Sequence, residues 1–474
     1  MTEAEACALF AKGEKPTVAK LLEQDARIRG LEARLAINSQ NSSKPPSTDG
    51  FHKPAPKSRR EKTGRKPGGQ MGHRGSTLVM SEVPDHFVNH PVEICSHCDH
   101  DLSAQHADSV ERRQVFDIPP LRMEATEHRF ETKTCSHCGT VNTSSTDAPE
   151  GVSAPVQYGP RIKALAVYLK TYQLLPFKRS AELVRSLFGS TLCEGTLANM
   201  VKEVSGSLDV SLEAIFDILT DAEVAHFDET GASVRGERHW VHVASTESVT
   251  LYTIHPRRGT AAMADMGVLP KFTGRAIHDH WKAYYTYEGC SHGLCNAHHL
   301  RELTFVYEVI GQDWAKLMID LLLKIKSAVD TAKKEKREAF DDKEISPFVR
   351  RYSAIIAKGI AVNPAPISPT GKRGPPKDTK SGNLVRRLKA HRNEVLAFMY
   401  DFSVPFENNI AERDLRMMKV QQKVSGTFRG DDGGDTFCRI RSYISTAGKH
   451  CLSAFEALAM AISGAPFKPS PEPN

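Results

Sequence analysis

Three acidic residues carry the chemistry this chain could perform. Asp228 closes the apolar run Val224-Ala225-His226-Phe227, and Asp279 closes Arg275-Ala276-Ile277-His278. Glu412 sits in Asn408-Asn409-Ile410-Ala411-Glu412-Arg413, within a polar, basic stretch (405–420) that reads as a helix. A carboxylate at a strand end is aimed by a rigid scaffold into a cleft. Two or three together repel one another unless cations lie between them, and such hard oxygen donors suit Mg2+ or Mn2+. Two such ions about 3.5–4 Å apart activate a water or a 3′-hydroxyl and stabilise the leaving oxygen of an in-line displacement at phosphorus. A chain of 474 residues offers many Asp/Glu triples, and Asp228-Glu229-Thr230-Gly231 also fits a simple turn, so spacing alone does not choose this set.

A second set of donors is sulfur. Cys95-x-x-Cys98 and Cys135-x-x-Cys138 are paired thiols at the spacing that reaches one Zn2+, and two such pairs complete a closed, structural tetrahedron. The residues between them, Arg112 to Thr134, alternate like strands, which predicts a zinc-ribbon-like module over 91–150. The ten cysteines are no disulfide framework at this length and fit a reducing cytosol. Cys295-x-x-His298 is a third candidate pair, but two ligands do not make a site. It would bind a metal with further ligands or serve as an ordinary buried pair. Trp281 and Tyr284, near Asp279, read as core or cleft wall, or as stacking partners of a base.

Basic residues mark where a polyanion would bind. The net charge is +6 with a pI near 8.7, and it is clustered. Residues 51–75 hold Lys53, Lys57, Arg59, Arg60, Lys62, Arg65, Lys66 and Arg74 against Glu61. Glycine and proline break this segment, so it reads as a basic arm (51–90) able to track phosphates or the minor groove; a solvated linker is the alternative. Arg59, Arg60, Lys62, Arg65 and Lys66 are its candidate DNA contacts, and Arg413, Arg416 and Lys419 are those beside Glu412. Lys372 to Arg392 is a further basic segment.

These sites need elements to position them. Length predicts about three domains. Residues 17–40 form a helix whose Leu21, Ile28 and Leu35 repeat every seven residues with Leu31 between, so 1–50 reads as a short coiled coil with a linker, or as one amphipathic helix on the body. Residues 155–215 are helical, and a Gly-containing turn near 189–194 resembles a helix-turn-helix with its second helix over 196–204. Short β runs follow over 220–298, separated by turn residues that include Gly231 and Gly236. Residues 299–395 read as a helical insertion, which accounts for the long gap before Glu412, and 396–465 as the return to the same domain with a last helix over 442–463. Residues 466–474 read as a frayed, disordered tail. No run of about 18 apolar residues crosses a membrane, and the N-terminus has no signal peptide.

The motifs HFDETG, HWVHVAST, RRGTAAM, HDHWKAYY, CNAHHLREL, PFENNIAERDLRMMKVQQKVSGTFRG and RSYISTAGKH closely resemble the insertion sequence 66 family of bacterial transposases. NSSKPPSTDG, GRKPGGQMGHRG, the double CxxC and EGTLANMV agree, in the family's order over nearly the whole chain. The resemblance implies a multidomain α+β protein with a ribonuclease-H-like catalytic domain and an Asp-Asp-Glu triad. By motif the triad falls on Asp228, Asp279 and Glu412. Glu229 and Glu407 are the rival carboxylates: successive strand residues face opposite sides, and Glu407 lies before the helix, where its charge suits the dipole. The implied activity is Mg2+-dependent (or Mn2+-dependent) cutting and joining of DNA at terminal inverted repeats by a cytoplasmic, nucleoid-associated homo-oligomer, with accessory element-encoded proteins as possible partners. Another ribonuclease-H-like nuclease or integrase, or a catalytically inactive zinc-dependent DNA-binding regulator, are the alternatives.

Overall fold

The computed structural model describes residues 3–38, 41, 72, 75, 77–144, 149, 151–366 and 378–471. The chain divides into a small unit, Ala55–Thr126 with Leu187–Gly189, and a large unit made of the rest.

The described part of the small unit is extended chain with little regular pairing. Ser81 and Gln114 tie it together: the Ser81 amide donates to Gln114 Oε1 at 2.7 Å, and Gln114 Nε2 donates to the Ser81 carbonyl at 2.8 Å. Cys95 and Cys98 lie in a tight knuckle. The Cys95 amide donates to the His100 carbonyl at 2.9 Å, the Asp99 amide donates to the Cys95 carbonyl at 3.0 Å, and Asp99 takes the left-handed φ of 56°. The strands expected between the cysteine pairs do not form over 112–131. Pro119-Pro120 removes two donors there, and Val115, Phe116 and Ile118 are exposed.

In the large unit the same knuckle recurs at Cys135 and Cys138. The Cys135 amide donates to the Thr140 carbonyl at 2.8 Å, the Gly139 amide to the Cys135 carbonyl at 2.9 Å, and Gly139 has φ of 74°. It caps a two-stranded hairpin, β1 (Thr132–Thr134) with β2 (Val141–Thr143). The chain opens with a helix over Glu3–Phe10 and a longer one over Glu14–Leu35, with Leu21, Ile28, Leu31 and Leu35 exposed. Helices Pro160–Thr171, Phe177–Phe188, Glu194–Gly206 and Asp209–Asp221 follow. Gly189, with φ of 67°, lies after the second, where the Gly-containing turn was predicted.

The centre is a five-stranded sheet in the order β5-β4-β3-β6-β7, comprising β3 (Val224–Val234), β4 (Glu237–Ser245), β5 (Thr250–His255), β6 (Arg275–His278) and β7 (Ser291–Leu294). The first three are antiparallel, and β3, β6 and β7 run parallel. Arg235 and Gly236, both at positive φ, make the tight β3–β4 turn, as a two-residue hairpin requires. Gly231, read above as a turn residue, lies inside β3 opposite Trp240. Its carbonyl accepts Gln422 Nε2 at 2.9 Å and Lys419 Nζ at 3.3 Å, so a helix packs directly over it.

Alternation sorts the sheet into two cores. Ala225, Phe227, Ala244 and Leu251 pack with Ile215, Leu219 and Met263 on one face. Ala232, Val234, Val241, Val243 and Tyr252 pack on the other with Ala411, Leu415, Met418 and Phe437, from helices Asn409–Ser425 and Asp432–Lys449. A third core joins Ile277 and Leu294 to helices Asn296–Glu308, Asp313–Lys334, Asp342–Val362 and Lys380–Ala390. The last helix predicted over 442–463 is two helices, broken at Cys451 (φ 60°), with a capping box of Ser453 and Glu456 starting Ala454–Ile462. The chain beyond 466 is not all frayed: the Phe467 amide donates to Tyr443 Oη at 2.9 Å, and its carbonyl accepts Ser211 Oγ at 2.7 Å.

Candidate active site

Register brings the first two acids together. On parallel β3 and β6, Val224 pairs with Arg275, Ala225 with Ala276 and His226 with Ile277. Paired residues on parallel strands face the same side. Continued by two residues, this register sets Asp228 beside Asp279, on the face that carries His226 and Ile277. On β6 and β7, His278 pairs with Leu294, and the Cys295 amide donates to the His278 carbonyl at 3.0 Å. Asp228, Asp279 and Cys295 therefore lie in one row: Asp279 and Cys295 just past the carboxyl ends of β6 and β7, and Asp228 not at a strand end, as its apolar run suggests, but inside β3, just past that strand's parallel pairing with β6.

Asn408 brings in the third acid. It precedes the helix Asn409–Ser425 and is buried. Its Nδ2 donates to the Phe227 carbonyl at 2.8 Å, its Oδ1 accepts His226 Nδ1 at 2.7 Å, and its amide donates to Cys295 Sγ at 3.2 Å. One side chain thus fixes the start of the helix against the residues just before Asp228 and just after β7. Glu412 follows in the first turn. Glu407 lies before the helix and accepts the Asn409 side-chain amide at 2.5 Å.

The electrostatics of the three acids match a site that wants a cation. Burial pushes the Asp228 carboxyl well above its ordinary value, and the charges of Glu229, Asp279 and Glu412 push it the same way. Burial raises Asp279 too, against its bond from the Trp281 amide (2.8 Å) and the pull of Arg258 and Arg387. Glu412 is raised by burial, with Glu407 and Asp279 repelling it and Arg301 and Arg416 opposing. Hard oxygen donors forced together in this way are the donor set of Mg2+ or Mn2+.

Glu229 faces the other way and is satisfied by protein. Arg258 Nε and Nη2 donate to its Oε1 at 2.8 and 2.5 Å, and the buried Tyr284 hydroxyl donates to its Oε2 at 2.6 Å. The Arg258 guanidinium in turn lies 4.2 Å from the Trp281 ring centre and 4.9 Å from that of Trp240. Trp281 and Tyr284 are therefore packed wall and hydrogen-bonding support. Histidines line the far side: His278 Nε2 is 3.0 Å from His292 Nδ1, and Tyr285 Oη donates to His280 Nδ1 at 3.0 Å. Burial holds His278 and His280 neutral, with pKa values pushed down to about 3.

Arg413, Arg416 and Lys419 are exposed on the helix that carries Glu412. Arg59, Arg60, Lys62, Arg65 and Lys66 lie outside the described residues. Cys295 and His298 come together with Glu412: His298 Nδ1 is 3.7 Å and Cys295 Sγ 4.0 Å from Glu412 Oε1.

Comparison with known protein families matches residues 155–436 to the transposase IS66 family. The chain belongs to the IS66 transposase family. The match spans Asp228, Asp279 and Glu412 and most of the sheet with its helices. Residues 93–139 match the zinc-finger binding domain of transposase IS66, which covers both cysteine knuckles and supports a structural zinc in this family member. Residues 2–78 match a family of unknown function. No curated protein matches the chain.

Several residues around the candidate site carry no signal of their role in the sequence. Arg258 was visible only as part of RRGTAAM, with no sign that it pairs with Glu229. Asn408 stood in the motif, but its bonds to β3 and Cys295 are long-range. Asp414 Oδ2 accepts Ser245 Oγ at 2.8 Å, Thr250 Oγ1 at 2.9 Å and Lys449 Nζ at 3.1 Å, partners that its neighbours in sequence do not reveal.

Proposed function

We propose that this protein is a DNA transposase that binds the terminal inverted repeats of its element, cuts a strand at each end and joins the freed 3′-hydroxyl to target DNA. Asp228, Asp279 and Glu412 form its catalytic centre in a ribonuclease-H-like domain, with the helices between Asn296 and Tyr400 as an insertion. The observation that carries this reading is the shared register of Asp228 and Asp279 on β3 and β6, with Asn408 holding the Glu412 helix to β3 at the residue before Asp228. A mixed sheet with antiparallel β3–β5, parallel β3, β6 and β7 and helices on both faces supports the fold.

The three carboxylates would hold Mg2+ or Mn2+, which supplies activation of the attacking oxygen and stabilisation of the leaving one. The chain's own residues position. Asn408 fixes the Glu412 helix, and Glu229 with Arg258 and Tyr284 braces β3 behind Asp228. Cys95, Cys98, Cys135 and Cys138 hold the structural Zn2+. The basic arm with Arg59, Arg60, Lys62, Arg65 and Lys66 tracks phosphates, as do Arg413, Arg416 and Lys419 on the catalytic helix. The exposed Leu21, Ile28, Leu31 and Leu35 seam suits self-association on DNA. The working place is the nucleoid of the cytoplasm, with accessory element-encoded proteins as further partners.

The test is strand joining of element-end DNA in Mg2+ by the full chain. Asp228→Asn, Asp279→Asn and Glu412→Gln are each expected to keep end binding and to lose joining by at least about a thousand-fold, or about 4 kcal/mol of barrier. Joining by Asp228→Asn at the wild-type rate would overturn the triad. Specific end binding with no joining by the wild-type chain would favour an inactive regulator.

A further inference from the structure

We propose that Cys295 Sγ, His298 Nδ1 and the Glu412 carboxylate form a site for a divalent ion of the zinc class, distinct in its donors from the all-oxygen centre but sharing Glu412 with it. The three donor atoms lie within 4.8 Å of one another. A tetrahedral zinc site, with bonds of about 2.3 Å to sulfur and about 2.0–2.1 Å to nitrogen and oxygen, separates sulfur from oxygen by about 3.5 Å and nitrogen from oxygen by roughly 3.3 Å. The observed separations of 4.0 Å (Cys295 to Glu412) and 3.7 Å (His298 to Glu412) exceed these by only a few tenths of an ångström, within reach of a small side-chain rotation. The His298–Glu412 separation is too long for a nitrogen–oxygen hydrogen bond, and the Cys295 thiol reaches Glu412 Oε1 only at the outer limit of a sulfur hydrogen bond, so His298 Nδ1 converges on the other two without being satisfied by them. Among the described residues, His298 Nδ1 is a buried atom with no hydrogen-bond partner. An orphaned buried nitrogen aimed at a thiol and a carboxylate is what a bound ion would complete.

The donors stand on fixed elements. Cys295 immediately precedes the helix Asn296–Glu308, is 1% exposed and receives the Asn408 amide. His298 is in the first turn of that helix, which is anchored where Asn296 Nδ2 donates to the Val395 carbonyl at 2.9 Å and the Asn296 amide to the Phe406 carbonyl at 3.0 Å. Glu412 is in the first turn of Asn409–Ser425. A thiolate, an imidazole and one carboxylate select a borderline-soft ion, whereas Asp228 and Asp279 offer only hard oxygens. The ion would join the two helix starts that bracket the helical segment, and it leaves an open fourth position, unlike a closed structural site.

Metal counting on the full-length chain tests this without reference to DNA. The protein is stripped of metal, reloaded with Zn2+ and analysed by elemental content, then loaded with Co2+ for absorption spectra. Wild type is expected to hold one equivalent more than Cys295→Ala or His298→Gln. The Cys95→Ser/Cys98→Ser variant should lose a different equivalent, and Asp228→Asn should lose none. The Co2+ spectrum should lose a single-thiolate band in Cys295→Ala and keep it in the Cys95→Ser/Cys98→Ser variant. His298→Gln alters a partly exposed side chain and guards against a Cys295 variant that fails to fold. Equal metal content in wild type and folded His298→Gln, with unchanged Co2+ spectra, would overturn the site. Retained metal with failed DNA joining would instead count only against the transposase centre.

Discussion

Two acids two residues apart on one helix have opposite surroundings. Asp414 is held by Lys449, Ser245 and Thr250 in a buried network. Burial raises the Glu412 carboxyl, and Glu407 and Asp279 repel it against the pull of Arg301 and Arg416, with no cation bonded to it among the described residues. β3 repeats the contrast in degree one residue apart: burial and Asp279 raise the Glu229 carboxyl, but Arg258 and Tyr284 bond it and oppose the rise, while Asp228 is raised by burial and by the charges of three other acids with no cation bonded to it among the described residues. The difference separates two uses of a buried carboxylate. One that the protein satisfies is architecture. One that the protein surrounds with like charge is stable only with a proton or an added cation, and so marks a place for chemistry.

The comparison breaks most readily by exchanging outcomes between the two helix acids. Asp414→Asn leaves Lys449 buried without its counter-charge; their side chains are only 11% and 12% exposed. It should cost about 3–5 kcal/mol of folding stability, as removing one partner of a buried pair does. Glu412→Gln removes a repelled charge and should leave the metal-free fold as stable as wild type or more so. Chemical denaturation in EDTA checks both. Equal destabilisation by the two variants would show that Glu412 is as structural as Asp414.

pH sharpens the same point on β3. Asp228 has a folded-state pKa raised above its unfolded value, so the folded state binds the proton more tightly. Its ionisation penalty is absent near the ordinary carboxylate range and grows as pH rises through the raised folded value. Asp228→Asn lacks that penalty. In EDTA its melting temperature should therefore exceed that of wild type increasingly from about pH 4 upward. The buried histidines act oppositely: His278, His280 and His298, held neutral with pKa values near 3, cost stability as pH falls below about 6.5 in both proteins and cancel in the difference. A wild-type minus Asp228→Asn difference that is flat with pH would remove the electrostatic argument for the centre.

How much of this was legible depended on whether the cause was local. The Asp279 strand end, the Gly236 turn and the helix starting near Asn408 follow from short apolar runs and turn residues, whereas β3 runs on past Asp228 to Val234 because β4 pairs with it there. The Ser453–Glu456 capping box was equally readable, and it would have split the last helix. The strands expected between the cysteine pairs failed because alternation supplies a pattern but not a partner, and Pro119-Pro120 withholds donors. Gly231 looked like punctuation because nothing nearby in sequence shows a helix closing over its carbonyl. Arg258 with Glu229, Lys449 with Asp414 and Asn408 with β3 were illegible for the same reason: each joins residues distant in sequence, and the pairing is decided by sheet register.

The smallest effects should appear among the cations of the Glu412 helix, and they separate a phosphate contact from a structural one. Arg413 and Arg416 are exposed beside the candidate centre. Lys419 is exposed too, but its ammonium donates to the Gly231 carbonyl at 3.3 Å and neighbours Arg238, which with burial lowers its pKa. A cation that neutralises a phosphate releases about one counterion, so Arg413→Ala and Arg416→Ala should each flatten the slope of log affinity against log salt by roughly one unit on any DNA sequence. Lys419→Ala should change that slope less, because part of its hydrogen bonding is already committed to β3. Salt titrations of DNA binding by the three variants read this directly. If Lys419→Ala flattened the slope more than either arginine variant, the helix would present its basic face to DNA further from Glu412 than the site geometry implies.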